Sequence, residues 1–337
     1  MTSLVLTITE TLRYRGALGQ WSWVLHRVSG LGVVLFLTLH VIDTSWSVFY
    51  PELYVKAIAV YQTPLFTIGE FVLVACVIYH AFNGLRIIIL DFRPHLWRYQ
   101  ARAAWIVLGA TLIVLIPVFV LMFGHVLNFY NDPDRQILSL ADVLESQLPF
   151  AAGIAVALVA GILYSGLQGV IAPARAEPGR KYPVGSRWEK LWWSFMRLSG
   201  ILIVPLVFGH LAMMHVLQGV FDISAQGAAV VGTDLINQSG TSVEFVANRW
   251  NLLVGGVAVW RLYDIALLAL TVIHGFNGLR YVLTDYTSGS SLLRRGMVYT
   301  CIIGALVLLV IGALALLGTI DQTAIEMARR AAENLHP

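Results

Sequence analysis

His26–His40 reads HRVSGLGVVLFLTLH, and Met196–His210 reads MRLSGILIVPLVFGH. Arginine, serine, glycine and the closing histidine fall at the same spacing in both. Tyr79–Phe92 reads YHAFNGLRIIILDF and Ile273–Tyr286 reads IHGFNGLRYVLTDY, so histidine, phenylalanine, asparagine, glycine, leucine, arginine and aspartate coincide there. Glu70 and Asp264 also match, each ten residues before the shared histidine. A self-similarity of this kind implies one structural unit used twice.

The repeated stretches lie in an apolar chain. Of 337 residues, 58% are hydrophobic and 12% charged, with a mean hydropathy of +0.75. An ordinary soluble domain is about a quarter charged, and a water-soluble core has no room to hide such an excess of apolar side chains. Lipid removes the problem, and the apolar runs are long enough to cross a bilayer, which takes roughly 20 helical residues. The net charge of +3 is too small to suggest nucleic acid. Cys76 and Cys301 sit inside apolar runs and read as small buried hydrophobes, with no disulfide or metal spacing. The first twenty residues carry Glu10, Arg13 and Arg15 and lack the pattern of a cleavable signal peptide.

Apolar segments at about 21–47, 65–91, 104–127, 148–171, 193–221, 260–284 and 298–318 predict an all-α bundle of seven membrane spans. Basic residues mark the cytoplasmic side. They are Arg13, Arg15 and Arg27 at the N-terminal flank, Arg93, Arg98 and Arg102 after the second span, and Arg175, Arg180, Lys181, Arg187 and Lys190 after the fourth. Arg294 and Arg295 follow the sixth. The alternate loops are acidic or neutral, with Asp132, Asp134, Asp142 and Glu145 in one and Asp222, Asp234 and Glu244 in another. The expected topology has a cytoplasmic N-terminus and an external C-terminus, in a bacterial cytoplasmic membrane. Two parallel three-helix units then need a return helix between them, and span four, which lacks histidine, supplies it. The implied division is 1–130 and 191–320 for the two units, 131–190 for the return helix and basic linker, and 321–337 for an amphipathic tail.

Ionisable residues inside a membrane bundle are functional candidates by default. His40, His80, His210 and His274 sit at repeat-matched positions in four spans. One such histidine is as readily a helix-to-helix hydrogen bond as a ligand, but four in symmetric places point to ligation. No thiolate or carboxylate cluster accompanies them, which argues against zinc or di-iron sites. Paired imidazoles on facing helices in an apolar bundle suit haem iron. Depth sorts them. His40 is three residues from Asp43 at the outer end of its span, whereas His80 lies roughly 22 Å in from the outer start of its own. The expectation is an inner haem on His80 and His274 and an outer haem on His40 and His210. His215, five residues past His210, reads as a packing or interface residue; His95, His125 and His336 read as solvated or structural.

Gly84 and Gly278, one turn after His80 and His274, leave room for a flat macrocycle or for close helix packing. Arg86 and Arg280, roughly 9 Å further along the axis, can meet haem propionates or snorkel at the helix end. Arg27 and its repeat partner Arg197 are further propionate candidates, and His26 belongs to the same region or to a quinone site. Glu70 and Asp264 are candidates for a proton path or for helix ends near water; Arg261, three residues before Asp264, suggests a surface pair.

At these residues the chain resembles the cytochrome b membrane anchor of succinate:quinone oxidoreductases and fumarate reductases, respiratory complex II. HRVSG at His26–Gly30 and Tyr79–His80 with Gly84, Arg86 and Asp91–Phe92 resemble the larger anchor subunit. His274, Gly278 and Leu283–Tyr286 resemble the smaller one. The resemblance covers six of the seven spans and implies two anchor subunits fused through span four. It implies haem b on His80 and His274, with His40 and His210 similar to the outer pair of two-haem members. It further implies a quinone (menaquinone or ubiquinone) near Arg27, Asp285 and Tyr286, with Ser29 nearby. Trp23 stands where the single-haem, two-subunit type carries a quinone-site serine, with Ser22 close by.

No flavin, dicarboxylate or iron–sulfur motif is visible. The resemblance places those on flavoprotein and iron–sulfur partners docked on the cytoplasmic face, in a complex open to homo-oligomerisation. The rival class is the cytochrome b of a hydrogenase or formate dehydrogenase; the doubled HxFNGLR motif with TDY favours complex II. A transporter would have Gly- or Pro-broken helices at matching positions, and Pro117 and Pro205 do not match.

Overall fold

A chain surrounded by hydrocarbon must satisfy its own backbone polar groups, and helices do so within each segment. The computed structural model describes residues 16–131, 140–171, 187–219 and 222–335. Glu10, Arg13, Arg15, Asp132, Asp134, Arg175, Arg180, Lys181 and His336 lie outside the described residues, as do the side chains of His125, Asp142 and Glu145. Among the described residues the fold is all-helical, with two isolated β-bridges and no strand.

The helices are α1 (Leu18–Phe49), α2 (Pro51–Tyr61), α3 (Pro64–Phe92), α4 (Gln100–Asn131), α5 (Leu140–Ile171), α6 (Arg187–Ala212), α7 (Ser242–Trp250), α8 (Val259–Tyr286), α9 (Ser291–Leu317) and α10 (Gln322–Leu335). Pro51 and Pro64 open α2 and α3, where the missing N–H costs nothing. Ser290 caps α9 by accepting from the Leu293 amide at 3.3 Å. A turn of π-helix, Met213–Leu217, follows α6.

Seven helices (α1, α3, α4, α5, α6, α8 and α9) are long and apolar enough to span a membrane, within a few residues of the expected segments for all but the third and the seventh, which starts at Ser291 and not 298. The third span runs Pro94–Asn128, starting some ten residues earlier because a 3₁₀ turn, Pro94–Tyr99, leads straight into α4. Ile106, Ile113 and Val120 on α4 are exposed, as are Val156, Leu163 and Val170 on α5. The seven-residue spacing puts each trio on one helix face, and an apolar face left uncovered in this way suits lipid.

Four spans form a ring: α1 packs on α3, α3 on α6, α6 on α8, and α8 back on α1. α4 lies outside on α3, and α9 lies against α8 and α1. α5 packs on the outer side, against α9. That last contact is a backbone approach. A Cβ on Gly161 would stand 2.7 Å from the Gly296 carbonyl oxygen and 2.8 Å from the Thr300 amide. Ser165, fully buried, donates to the Leu292 carbonyl at 2.8 Å.

At one end, α2, α7 and α10 pack together over the C-terminal ends of α1 and α9. Tyr54, Ile58, Val243, Phe245, Trp250, Ala328 and Ala331 are buried there. α7 starts on Thr241 as N-cap: the Thr241 hydroxyl accepts from the Glu244 amide at 3.2 Å, and the Glu244 carboxylate turns back to accept from the Ser239 amide. The tail helix α10 keeps its charged side chains outside, with Arg329 bonded to Glu326 at 2.8 Å and to Glu333 at 2.6 Å. The opposite end carries Arg27, Arg86, Arg197 and Arg280. We call the two the capped end and the basic end.

The α5–α9 contact gives a test. Gly161→Ala should destabilise the protein by about 1–3 kcal/mol through overpacking, read as a lower thermal midpoint in detergent. Gly153→Ala on the same helix, where an added Cβ meets nothing within 4 Å, should leave the midpoint unchanged.

Candidate functional site

A buried imidazole has two ring nitrogens, and in a dry bundle each needs a use. Near the basic end, the His80 Nδ1 lies 3.1 Å from the His26 carbonyl oxygen and 3.4 Å from the Ser29 hydroxyl. On the facing helix pair, the His274 Nδ1 lies 2.8 Å from the Ser199 hydroxyl. Ser29 and Ser199 are the repeat-matched serines of HRVSG and MRLSG. Glycine follows each serine, and each imidazole rests on it. A Cβ on Gly30 would be 2.9 Å from His80 Cε1, and one on Gly200 would be 3.6 Å from His274 Cε1. The His26 ring stacks on the His80 ring, with centroids 4.0 Å apart and planes 8° from parallel. That contact uses the face of the imidazole and not its ring nitrogens. His26, His80 and His274 are within electrostatic range of one another.

Gly84 and Gly278 keep their surroundings open. An added Cβ would touch only His26 Cε1 at 3.7 Å in one case and Met196 Cε at 3.9 Å in the other. Both neighbours occupy the same position of the repeat. Arg86 is buried and bonds the Ser22 hydroxyl and the Asn83 carbonyl oxygen, each at 2.8 Å; its Nε has no partner. Arg280 bonds the Asn277 carbonyl oxygen at 3.0 Å and lies 4.3 Å over the Tyr281 ring.

The basic surface holds two like clusters. Arg27 pairs with Asp285 and lies 3.9 Å over the Trp23 ring. Arg197 pairs with Asp91 at 2.5 Å and lies 3.9 Å over the Trp193 ring. Each pair ties the first helix of one sequence unit to the second helix of the other. Tyr286, next to Asp285, is 71% exposed, so its hydroxyl is open to a ligand or partner. Ser22 belongs to the Arg86–Asn83 network, also meeting the Tyr79 hydroxyl at 3.2 Å. Ser29 is turned to His80, and Trp23, Arg27 and Asp285 come together without it.

Towards the capped end, His40 and His210 face each other with ring centroids 5.9 Å apart and planes at 78°. Phe36 stacks on His40 at 5.3 Å, and the Nδ1 of His210 has no hydrogen-bond partner. Both histidines line a mostly apolar cavity of about 440 Å³, a volume in the range of cofactor-sized pockets, about 300–1,000 Å³. Asp43, Glu70, Asp264 and Arg249 reach the same space. Asp43 takes a hydrogen bond from Tyr61 on one oxygen and has none on the other. Burial, then the charge of Asp43, push the Tyr61 phenol well above its ordinary value, so it remains a donor. Glu70 pairs with His215 at 3.3 Å, which draws His215 into this cluster.

Asp264 accepts from the Trp250 indole at 2.8 Å. Arg261 does not pair with it: its guanidinium bonds the carbonyls of Trp250, Leu316 and Gly318 and so ties α8 to α9. Arg249 is missing from the residues singled out in the sequence. It is buried, bonds the Val231 carbonyl at 3.1 Å and lies 4.2 Å over the Trp260 ring. Its helix, α7, lies in a stretch the sequence marked only as an acidic or neutral loop, and nothing local reveals that α7 folds back over the cavity. His95 is exposed in the 3₁₀ turn Pro94–Tyr99.

Comparison with known proteins bears on the same residues. The model of the succinate dehydrogenase/fumarate reductase transmembrane subunit family matches residues 8–119 and 180–314. A curated relative, succinate dehydrogenase 2 membrane subunit SdhC of Mycobacterium tuberculosis, is 40% identical over 118 residues, which is 35% of this chain and 87% of the relative. No solved structure matches the chain.

The two glycine seats differ in clearance, which makes a prediction. Gly30→Ala should displace His80 and cost about 1–3 kcal/mol, seen as a lower thermal midpoint. Gly200→Ala, with ordinary contact distance to His274, should be near neutral by the same measurement.

Proposed function

The chain belongs to the succinate dehydrogenase/fumarate reductase transmembrane subunit family, and on that footing we propose that it is a di-haem anchor passing electrons to a membrane quinone. Its coarse role, membrane subunit of such a complex, follows from membership. The observation that carries the finer reading is the equivalence of contacts at matched positions. Ser29 and Ser199 each meet an inner histidine, and Arg27–Asp285 and Arg197–Asp91 each cross between the sequence units. This supports two parallel three-helix units, 1–130 and 191–320, corresponding to two anchor subunits. They are joined by 131–190 with α5 as the return helix, and 321–337 forms the tail.

The residues present fit haem b at both levels. His80 and His274 have Nδ1 engaged and lie beside the bare backbone of Gly84 and Gly278. For the outer pair, the imidazoles of His40 and His210 face each other with ring centroids 5.9 Å apart, and the Nδ1 of His210 has no hydrogen-bond partner. Bound there, haem would supply one-electron transfer, held by His80 with His274 and by His40 with His210. Arg86, Arg280, Arg27 and Arg197 are the cations available to inner propionates.

The quinone, menaquinone or ubiquinone, belongs at the basic end beside Trp23, Arg27, Asp285 and Tyr286. Arg27 is a standing donor for a quinone oxygen, and Tyr286 adds a phenol O–H. Asp285, paired with Arg27, holds that cation in place. Glu70 with His215, and Asp264 with Trp250, are proton-path candidates at the outer cavity. Flavoprotein and iron–sulfur subunits would dock on the basic end, which puts it at the cytoplasmic face of a bacterial membrane and the capped end outside.

A pyridine-haemochrome assay on the purified chain tests this. Wild type should carry two haems per chain; His40→Ala or His210→Ala should remove one, and His80→Ala or His274→Ala the other. A haem count untouched by His40→Ala would remove the outer site. In the assembled complex, Arg27→Leu should slow quinone reduction at least about tenfold, the worth of one charged hydrogen bond, with succinate–dye turnover unchanged.

A further inference from the structure

The hydroxyl of Ser199 is fully buried and has one proton to give. That proton goes to the Phe195 carbonyl, 2.6 Å away and one helical turn back. The oxygen is then left as an acceptor, and the one group aimed at it is the His274 Nδ1 at 2.8 Å. An acceptor there demands a proton on Nδ1. In a neutral imidazole the Nε2 must then carry the lone pair.

We infer that Ser199 is a positioning residue that fixes His274 in the Nδ1–H tautomer and so presents Nε2 as a metal ligand. His80 reaches the same tautomer by a different route. Its Nδ1 lies 3.1 Å from the His26 carbonyl, which can only accept, and Ser29 is the more distant partner at 3.4 Å. Ser29 also spends its proton on that same carbonyl, at 3.1 Å. The two matched serines are thus unequal. Removing Ser29 leaves His80 with a backbone acceptor, whereas removing Ser199 leaves the His274 Nδ1 with none.

The purpose of this device rests on the haem reading above; the tautomer itself does not. Partners of this kind also raise the basicity of the ligand nitrogen, and losing one typically weakens metal affinity by about 10–100-fold.

The test compares Ser199→Ala, Ser199→Thr and Ser29→Ala in the full chain. In the protein stripped of haem, ¹⁵N histidine NMR should show His274 as the Nδ1–H tautomer in wild type and a mixture in Ser199→Ala. On haem titration, Ser199→Ala should weaken binding of one haem by about 10–100-fold and raise its midpoint potential, because a less basic imidazole stabilises ferric iron less. Ser199→Thr should restore both readouts, and Ser29→Ala should change neither. An unchanged His274 tautomer in Ser199→Ala overturns the inference, as does an equal effect from Ser29→Ala. A wild-type chain that takes up no haem would sink the haem reading, while the NMR result would still decide the role of Ser199.

Discussion

An imidazole held away from water must place two ring nitrogens, and the interior of this bundle is organised around that demand. Nδ1 of His80 and of His274 meets an acceptor on the neighbouring helix, so in the neutral ring the other nitrogen carries the lone pair. The acceptors sit on α1 and α6, which must therefore lie close to α3 and α8. Glycine directly after each serine permits the approach, since a side chain at Gly30 would stand within 2.9 Å of the imidazole. Two separate helix pairs follow from the same local requirement, and the ring of four arises when the pairs meet.

What joins the pairs is electrostatic and lies at the basic end. Arg27 reaches Asp285, and Arg197 reaches Asp91, each across the boundary between the sequence units. Both guanidinium groups lie over a tryptophan ring one turn earlier in the helix, a cation–π contact that favours that placement. These bridges are partly exposed, so each contributes little stability by itself. Their weight is in orientation: they set which face of α1 meets α8 and which face of α6 meets α3. At the other end the work is done by packing, where α2, α7 and α10 build a core of buried apolar residues of the kind a soluble domain has.

Much of this was legible because membrane burial leaves strong marks in sequence. Long apolar runs fix the spans, and matched His, Gly and Arg positions point to facing helices, since such residues are costly in lipid without a partner. Ser29 and Ser199 were visible as part of the repeat, yet serine is so common in membrane helices that spacing alone does not assign it to an imidazole. Arg249 was not legible at all. It lies in a 40-residue connection whose fold depends on burial against α2 and α10, contacts far apart in the chain. Arg261 misled for a related reason: an i, i+3 neighbour is only one option for a guanidinium, and three backbone carbonyls at the ends of α7 and α9 offered more.

The twin clusters at the basic end show how a duplicated frame becomes one-sided. Tryptophan, arginine and aspartate are the same in both, and the distances from each guanidinium to its ring are equal at 3.9 Å. The residue after the aspartate is not the same. Tyr286 carries a phenol that can donate to a carbonyl oxygen, while Phe92 offers only a ring, which it sets edge-on against Trp193 at 6.1 Å. Exposure follows the chemistry: Asp285 is 55% exposed and Asp91 only 20%. One cluster therefore offers an exposed carboxylate and a phenol donor, and the other a half-covered carboxylate and an aromatic edge contact. A single hydroxyl, present on one side and absent on the other, distinguishes two otherwise matched helix junctions.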